Sequence, residues 1–435
     1  MTSAPPSPER PALGHDDVRS SLSGPVSVCV DRPVLSLDRP FTYELPGALD
    51  AGVGSLVQVP FHGRAVKGWV LGTTDDVPAR MLAIKKVVSP ERWFDVDGLA
   101  LARWVGQRYV APLATVLGRA TPPRIASEEG KERPPYGSID RSRVVTGDVF
   151  SGYRGTGLLE HALASPGFRA ILVRPAPEDE ATIAVDLVAR CLASGRRAVV
   201  IVPEATPVPG VARALREAFG DRCALVLGGS TRLRCRTWLD AQAGRFDVVV
   251  GTRPAVFTPV PEVGMILVSR ESHPALREDR APYYNVRDVA LARGRIQGCA
   301  VFLSAICPSS ETAGLDLPQV EPSSRRWVPV EIVKPGPEGR APRLVRALKE
   351  ARRAFVFSPL PGAGIAAVCR ACGSPAACAA CGGLLRSEEG AVRCIVCEAP
   401  GRCRVCGAAD FGLRRGGRER VEAWAGRLTS TPVHR

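Results

Sequence analysis

Apolar residues in the first quarter of the chain come in short runs separated by glycine and proline. Residues 26–30 are compact and β-branched, 55–61 alternate apolar and polar, and 67–71 follow the turn His62-Gly63-Arg64. Runs of this length with turn residues between them predict the strands of a small β-barrel-like module. Over 96–109 the period changes. Leu99, Ala102 and Val105 recur on one face, which predicts a helix. From about 156 to 321, apolar runs stand at 170–173, 198–202, 224–227, 248–250, 265–268 and 300–303, and helical segments such as 181–193 and 210–219 separate several of them. Continuous apolar strands between helices predict a parallel sheet covered on both faces, so the fold class is α/β. Another such unit begins over 326–360, with strands at 327–330 and 354–357 around a helix near 344–351.

These patterns divide the chain. Residues 1–24, rich in proline and serine, predict a disordered tail, and 25–122 form the β-rich module. A polar linker covers 123–165 and contains Glu128-Glu129-Gly130-Lys131-Glu132-Arg133. The first α/β unit spans 166–322 and the start of a second spans 323–367. A cysteine-rich module follows at 368–410, then a remainder at 411–435.

Charge narrows the class of partner. Lys and Arg number 58 against 44 Asp and Glu, a net +14, which points to a polyanion and first of all to nucleic acid. Only six of the basic residues are lysine (Lys67, Lys85, Lys86, Lys131, Lys334 and Lys349), so part of the surplus reflects an arginine-rich composition. A hydrophobic share of 45% excludes a wholly disordered or collagen-like chain. No basic start leads into an apolar run, and no stretch approaches the ~20 apolar residues of a spanning helix. The expectation is a cytoplasmic protein without membrane association.

Cysteine carries the strongest chemical signal. Eight of 14 cysteines fall between 369 and 406 as four Cys-x-x-Cys pairs: Cys369/Cys372, Cys378/Cys381, Cys394/Cys397 and Cys403/Cys406. Two residues between thiols let one tight turn aim both sulfurs at one tetrahedral ion, so eight thiolates suffice for two closed structural Zn2+ sites. The symmetrical spacing favours nesting, inner pairs with inner and outer with outer. Sequential and crossed pairings also remain open. Closed sites leave no coordination position for catalysis. The other six, Cys29, Cys191, Cys223, Cys235, Cys299 and Cys307, stand among apolar neighbours and are expected in the core.

A zinc module inserted into an α/β unit behind an N-terminal β module resembles the primosomal protein N′ (PriA) family of replication restart DNA helicases. Asp38-Arg39-Pro40-Phe41-Thr42-Tyr43 with Val59-Pro60-Phe61 is similar to that family's N-terminal 3′-end DNA-binding domain. Residues 249–257, containing Gly251-Thr252-Arg253, are similar to its helicase segment Gly-Thr-Arg-Ser-Ala-x-Phe. Residues 281–290 are similar to the stretch behind its Asp-Glu-x-His box. The resemblance covers about 25–120 and 168–425. It implies that 166–322 is a RecA-like helicase lobe 1, that 323–367 starts lobe 2, that 411–435 is a truncated remainder of it, and that the cysteines pair in the nested way. Partners implied by the family are forked or single-stranded DNA, primosome proteins, the replicative helicase loader and single-stranded DNA-binding protein, at the nucleoid.

The departures concern ATP. The family's phosphate loop ends in Gly-Lys-Thr/Ser, whose amides cradle phosphates and whose Lys neutralises charge. Here residues 174–182 contain Glu178, Asp179 and Glu180 and neither glycine nor lysine. The Asp-Glu-x-His box reads Ser269-Arg270-Glu271-Ser272, and Glu271 is expected as a surface carboxylate rather than a base. With both nucleotide motifs lost, as in the actinobacterial branch, no catalytic residue is assigned and neither ATP binding nor unwinding is expected. Phe41 and Tyr43 occupy the family's stacking positions, with Thr42 in place of its acid and Leu82 in place of its pocket base. Strand packing is the competing role for the two rings. Arg64, Lys67, Lys85 and Lys86 are candidate phosphate contacts. The resulting expectation is a DNA-binding restart component that recognises abandoned forks and helps reload the replicative helicase. The alternatives are an active 3′-5′ helicase and a non-functional truncated product.

Overall fold

The computed structural model describes residues 21–134, 148–324, 330–334, 341–358, 362–388 and 390–428, in two compact units, 1–326 and 327–435. The tail expected at 1–24 lies outside the described residues up to position 20. Beyond it, the Leu22 amide already donates to Ala51 O.

Unit one begins with β1 (Gly24–Val30), β2 (Phe41–Leu45), β3 (Ser55–Phe61), β4 (Arg64–Thr73), β5 (Leu82–Ala83) and β6 (Lys86–Arg92). They form one sheet in the order β5-β2-β1-β4-β3-β6. The sheet curls because a single segment serves both ends. Leu82 and Ala83 pair with β2, the Ile84 amide donates to Glu44 O, and Lys86 already pairs with β3. The concave side buries Val26, Val28, Tyr43, Val57, Val59 and Val70. This is the half-barrel that the alternating runs implied.

Helices α1 (Val96–Tyr109) and α2 (Leu113–Ala120) cover the outer side. Asp95 caps α1 by accepting from the Gly98 amide at 2.7 Å. Leu56 and Trp69 of the sheet join Leu99, Ala102 and Val105 of α1, and the same core continues into Trp238, Val289 and Ile296. The Tyr109 hydroxyl accepts from the Asn285 amide and donates to Asp288 Oδ2, both at 3.1 Å. The half-barrel and the following layers therefore pack as one body.

Those layers comprise β7 (Tyr153–Arg154), α3 (Gly157–Ala164), β8 (Arg169–Val173), α4 (Glu180–Ala193), β9 (Arg197–Ile201), α5 (Gly210–Phe219), β10 (Cys223–Val226), α6 (Thr231–Gln242), β11 (Val248–Gly251), β12 (Val263–Val268), α7 (Val286–Gln297), β13 (Ala300–Ser304), α8 (Ser310–Ala313) and β14 (Gln319–Pro322). The sheet order is β10-β11-β9-β12-β13-β8-β14-β7, parallel except for the β14–β7 pair. Gly294 lets α7 close on β13, since a Cβ there would sit 2.4 Å from Val301 Cγ2.

Parts of the expected linker at 123–165 are structured. Residues 126–128 form a 3-10 turn, Glu128 is buried, and Arg133 Nε donates to Asp240 Oδ1 at 3.1 Å. Its far end supplies β7 and α3 to the sheet layer; residues 135–147 lie outside the described set. Polar composition alone does not separate an extended segment pinned by ion pairs from a loose one. Cys307 is a second correction: it is exposed beyond β13, whereas the other five isolated cysteines are buried.

Unit two contains α9 (Pro342–Glu350), β15 (Gly364–Cys369), β16 (Leu385–Glu388), β17 (Ala391–Cys394), β18 (Phe411–Gly416) and α10 (Arg418–Leu428). Its antiparallel sheet runs β17-β16-β15-β18. Because β18 pairs with β15, residues 411–416 belong to the cysteine module's own sheet rather than to a separate remainder. The strand expected at 354–357 is irregular, with Phe355 and Phe357 exposed. No strand lies beside it among the described residues, and a lone run has no ladder to join. Residues 327–329 of the other expected strand lie outside the described set. Among the described residues no helix is long and apolar enough to cross a membrane.

Candidate metal centres and nucleic-acid face

Each Cys-x-x-Cys pair sits on a tight turn, two of them reached from β15 and β17, which end at Cys369 and Cys394. The chain nests the pairs. Cys369, Cys372, Cys403 and Cys406 converge, and so do Cys378, Cys381, Cys394 and Cys397, with the four sulfurs of each set within 4.8 Å of one another. Sγ···Sγ distances of 3.6 Å (Cys369–Cys406, Cys372–Cys403, Cys378–Cys397) and 3.4 Å (Cys381–Cys394) approach the ~3.8 Å edge of a tetrahedron with 2.3 Å metal–sulfur bonds. Amides point at the sulfurs: Ala380 to Cys378, Gly383 to Cys381, Val396 to Cys394 and Val405 to Cys403, all at 3.4 Å. Gly383 must be glycine-sized, because a Cβ would sit 3.0 Å from the Cys394 sulfur.

The electrostatics match this geometry. The Ser374 hydroxyl and amide hold Cys372 down to about 6. The amides of Cys397 and Val396 hold Cys394 down to about 6. Cys406 accepts from the Ala408 amide, which favours its thiolate, yet the Cys372 and Cys369 sulfurs push it up to about 12. Four such sulfurs do not all ionise side by side without a cation among them. Each set can hold one metal ion, and four thiolates suit a closed structural site.

On the half-barrel, the candidate DNA residues separate into two kinds. Phe41 is half-buried. Its ring meets Phe61 edge-on at 5.0 Å, Phe61 meets His62 at 4.5 Å, and the Arg39 guanidinium lies 5.2 Å over Phe41. Tyr43, two residues on, faces inward. It is 4% exposed, its hydroxyl donates to Pro60 O at 3.0 Å, and burial raises its pKa. Tyr43 is therefore a core residue, the role that competed with stacking. Alternation along a strand sends residues 41 and 43 to one side, but curling covers one more deeply than the other.

Lys67 and Lys86 both register opposite Gln58, so β4, β3 and β6 carry a Lys–Gln–Lys row with both lysines exposed and Gln58 half-buried between them. Lys85 is exposed beside it, its amide tied to Gln58 O. Arg64 is exposed at the hairpin, opposite Phe61. Leu82 lies opposite Tyr43 and is also exposed. Phe61, His62 and Arg39 were not singled out as site residues, because only the fold brings them to Phe41.

Where a phosphate loop would stand, the chain has matched its own charges. Glu180, in the first turn of α4, accepts from the Arg270 guanidinium at 2.9–3.1 Å and from the Ser269 hydroxyl at 2.9 Å. The Tyr153 hydroxyl donates to Asp179 Oδ2 at 2.7 Å and accepts from the Ala176 amide at 2.9 Å. Glu271 overturns its surface expectation. It is 3% exposed and accepts from the Ser309 amide at 2.6 Å, the Ser309 hydroxyl at 2.9 Å and the Thr312 hydroxyl at 2.6 Å. The polar letters around Glu271 gave no sign that α8 folds over it.

Comparison with known proteins bears on the same segments. Residues 27–122 match the 3′DNA-binding domain (3′BD) family of PriA. The chain is 31% identical to the probable replication restart protein PriA of Mycobacterium tuberculosis over 71% of its own length and 47% of the relative's. It is 27% identical to the replication restart protein PriA of Treponema pallidum over 83% of its length and 58% of the relative's. The chain spans about half the length of the curated relatives it matches.

Proposed function

Since the chain belongs to the PriA family of replication restart proteins, we propose that it binds forked or single-stranded DNA through its half-barrel and acts in restart without hydrolysing ATP. The observation that carries this reading is the match of residues 27–122 to a 3′ DNA-binding domain whose surface exposes Lys67, Lys85, Lys86 and Arg64 and whose concave face carries the half-buried Phe41–Phe61 pair. The cations take phosphates. The aromatic pair offers a surface for a terminal base, where stacking contributes ~1–3 kcal/mol. Tyr43 supports the wall from inside.

Two further features support the scaffold reading. Glu180 and Arg270 satisfy one another where a nucleotide would need a phosphate cradle, and Glu271 is occupied in capping α8. The two cysteine sets hold Zn2+ as structural cross-links of a module that lacks an extensive apolar core. The partners are then a replicative helicase loader, single-stranded DNA-binding protein and other primosome proteins, met in the cytoplasm at the nucleoid.

The test is fluorescence anisotropy of the zinc-loaded chain on a labelled fork. One fork has a free leading-strand 3′ end at the branch, and the other has that end blocked by phosphate. Preference for the free end, with no ATP turnover above background, is expected. Equal binding would leave only a generic basic surface, and DNA-stimulated turnover would restore the helicase reading.

A further inference from the structure

The aromatic pair on the half-barrel is the middle of a longer row. Arg39, Phe41, Phe61 and His62 follow one another at 5.2 Å (Arg39 Cζ to the Phe41 ring), 5.0 Å (Phe41 to Phe61) and 4.5 Å (Phe61 to His62). The two middle rings are half-buried, whereas both end residues are exposed. A molecule arriving from solvent meets Arg39 and His62 first.

Folding alone does not account for either end. Phe61 registers opposite Arg64, so His62 and Gly63 are the two central residues of the β3–β4 hairpin, with φ of 45° and 74°. Positive φ at both positions is the requirement of a type I′ turn, which Asn-Gly or Gly-Gly meets with less strain. Histidine brings that turn no advantage; it brings a ring that lies edge-on against Phe61 in solvent. At the other end, the Arg39 amide donates to Leu37 O at 2.8 Å, and the carboxylate of the adjacent Asp38 is spent on the Leu113 amide, also at 2.8 Å. Among the described residues no carboxylate pairs with Arg39, and no group hydrogen-bonds the His62 imidazole.

An exposed guanidinium and an exposed aromatic ring both stack on nucleobases. The guanidinium does so through its plane while keeping a charge for the neighbouring phosphate, whereas a lysine offers the charge alone. Resting on DNA binding by the half-barrel, we propose that Arg39 and His62 are the direct contacts to an unpaired 3′-terminal base. Arg39 stacks through its guanidinium plane and His62 through its ring, with Phe41 and Phe61 as the wall behind them.

Fluorescence anisotropy of the full, zinc-loaded chain tests this on two 5′-labelled single strands. One is intact, and the other lacks only the base of its 3′-terminal nucleotide, with every phosphate kept. The wild type should bind the abasic strand about tenfold more weakly. Arg39→Lys keeps the charge and loses the plane, and His62→Gly removes the ring and suits the turn. Each should weaken binding of the intact strand about fivefold and of the abasic strand less than about twofold, because residue and base are lost from one contact. The salt slope of Arg39→Lys should match that of wild type. Thermal melts by circular dichroism should show neither variant destabilised. A wild type that binds neither strand overturns the half-barrel reading and these contacts together. If the wild type binds both strands alike, or if either folded variant matches wild type on the intact strand or loses as much on the abasic one, the contacts are overturned while DNA binding by the half-barrel stands.

Discussion

The cysteine module and the acid cluster around Glu180 both gather chemistry-bearing side chains into a few ångströms, with opposite results. Around Cys369 and Cys378, four sulfurs per set converge and their amide donors favour ionisation. Around Glu180, three acids each meet donors of the same chain: Arg270 and Ser269 for Glu180, Tyr153 for Asp179, Ser309 and Thr312 for Glu271. Converging groups imply a ligand only where their charge and hydrogen bonds are left unmet. The first site asks for a cation, and the second asks for nothing. The Lys67–Gln58–Lys86 row belongs with the first kind, because its charges face solvent.

The largest effect should come from removing the cation. Chelation, or Cys394→Ser, is expected to unfold the sheet around the second cysteine set, since a structural zinc site contributes on the order of 10 kcal/mol of folding energy. Metal release followed by a colorimetric indicator, with loss of amide protection over 378–397, checks it. Two ions released per chain are expected from wild type. Retention of amide protection in the metal-free chain would erase the contrast.

Next is Glu271→Ala, which strands three donors at once, the Ser309 amide and hydroxyl and the buried Thr312 hydroxyl. A loss of about 3 kcal/mol is expected by urea titration. The DNA affinity of the surviving folded fraction should stay unchanged, because the residue is spent internally.

Lys67→Ala with Lys86→Ala should cost about tenfold in DNA affinity and lower the slope of log affinity against log salt by about two. Thermal stability should hold, since both side chains are exposed. An unchanged slope in anisotropy titrations would separate this row from the phosphates.

The smallest effect is expected from Glu180→Gln. The Arg270 side chain is 59% exposed, so the pair's worth is screened and about 1 kcal/mol is expected in a melt. The variant should still bind no ATP. If it gained nucleotide binding, the ion pair would be a gate rather than a replacement.

Much of this protein is legible along the chain. The helix expected over 96–109 is α1 to the residue, and that over 210–219 is α5, because apolar period and capping residues act locally. The six apolar runs between 170 and 303 became β8 to β13 for the same reason: a strand buried on both faces needs unbroken apolar residues. The cysteine spacing likewise carried the ligand count, since each turn is set within four residues. What stayed hidden depends on groups far apart in the chain. Tyr43 is core and Phe41 is half-exposed because the sheet curls through residues 82–86. Glu271 is buried because Ser309 and Thr312, about 40 positions on, close over it. Cys307 has apolar neighbours in sequence yet stands in solvent beyond the end of β13. Local pattern determined which elements form, because period and turn geometry are short-range. Burial, pairing and the fate of each charge were decided only by the tertiary structure, because a side chain's partner is set by which distant backbone is brought beside it.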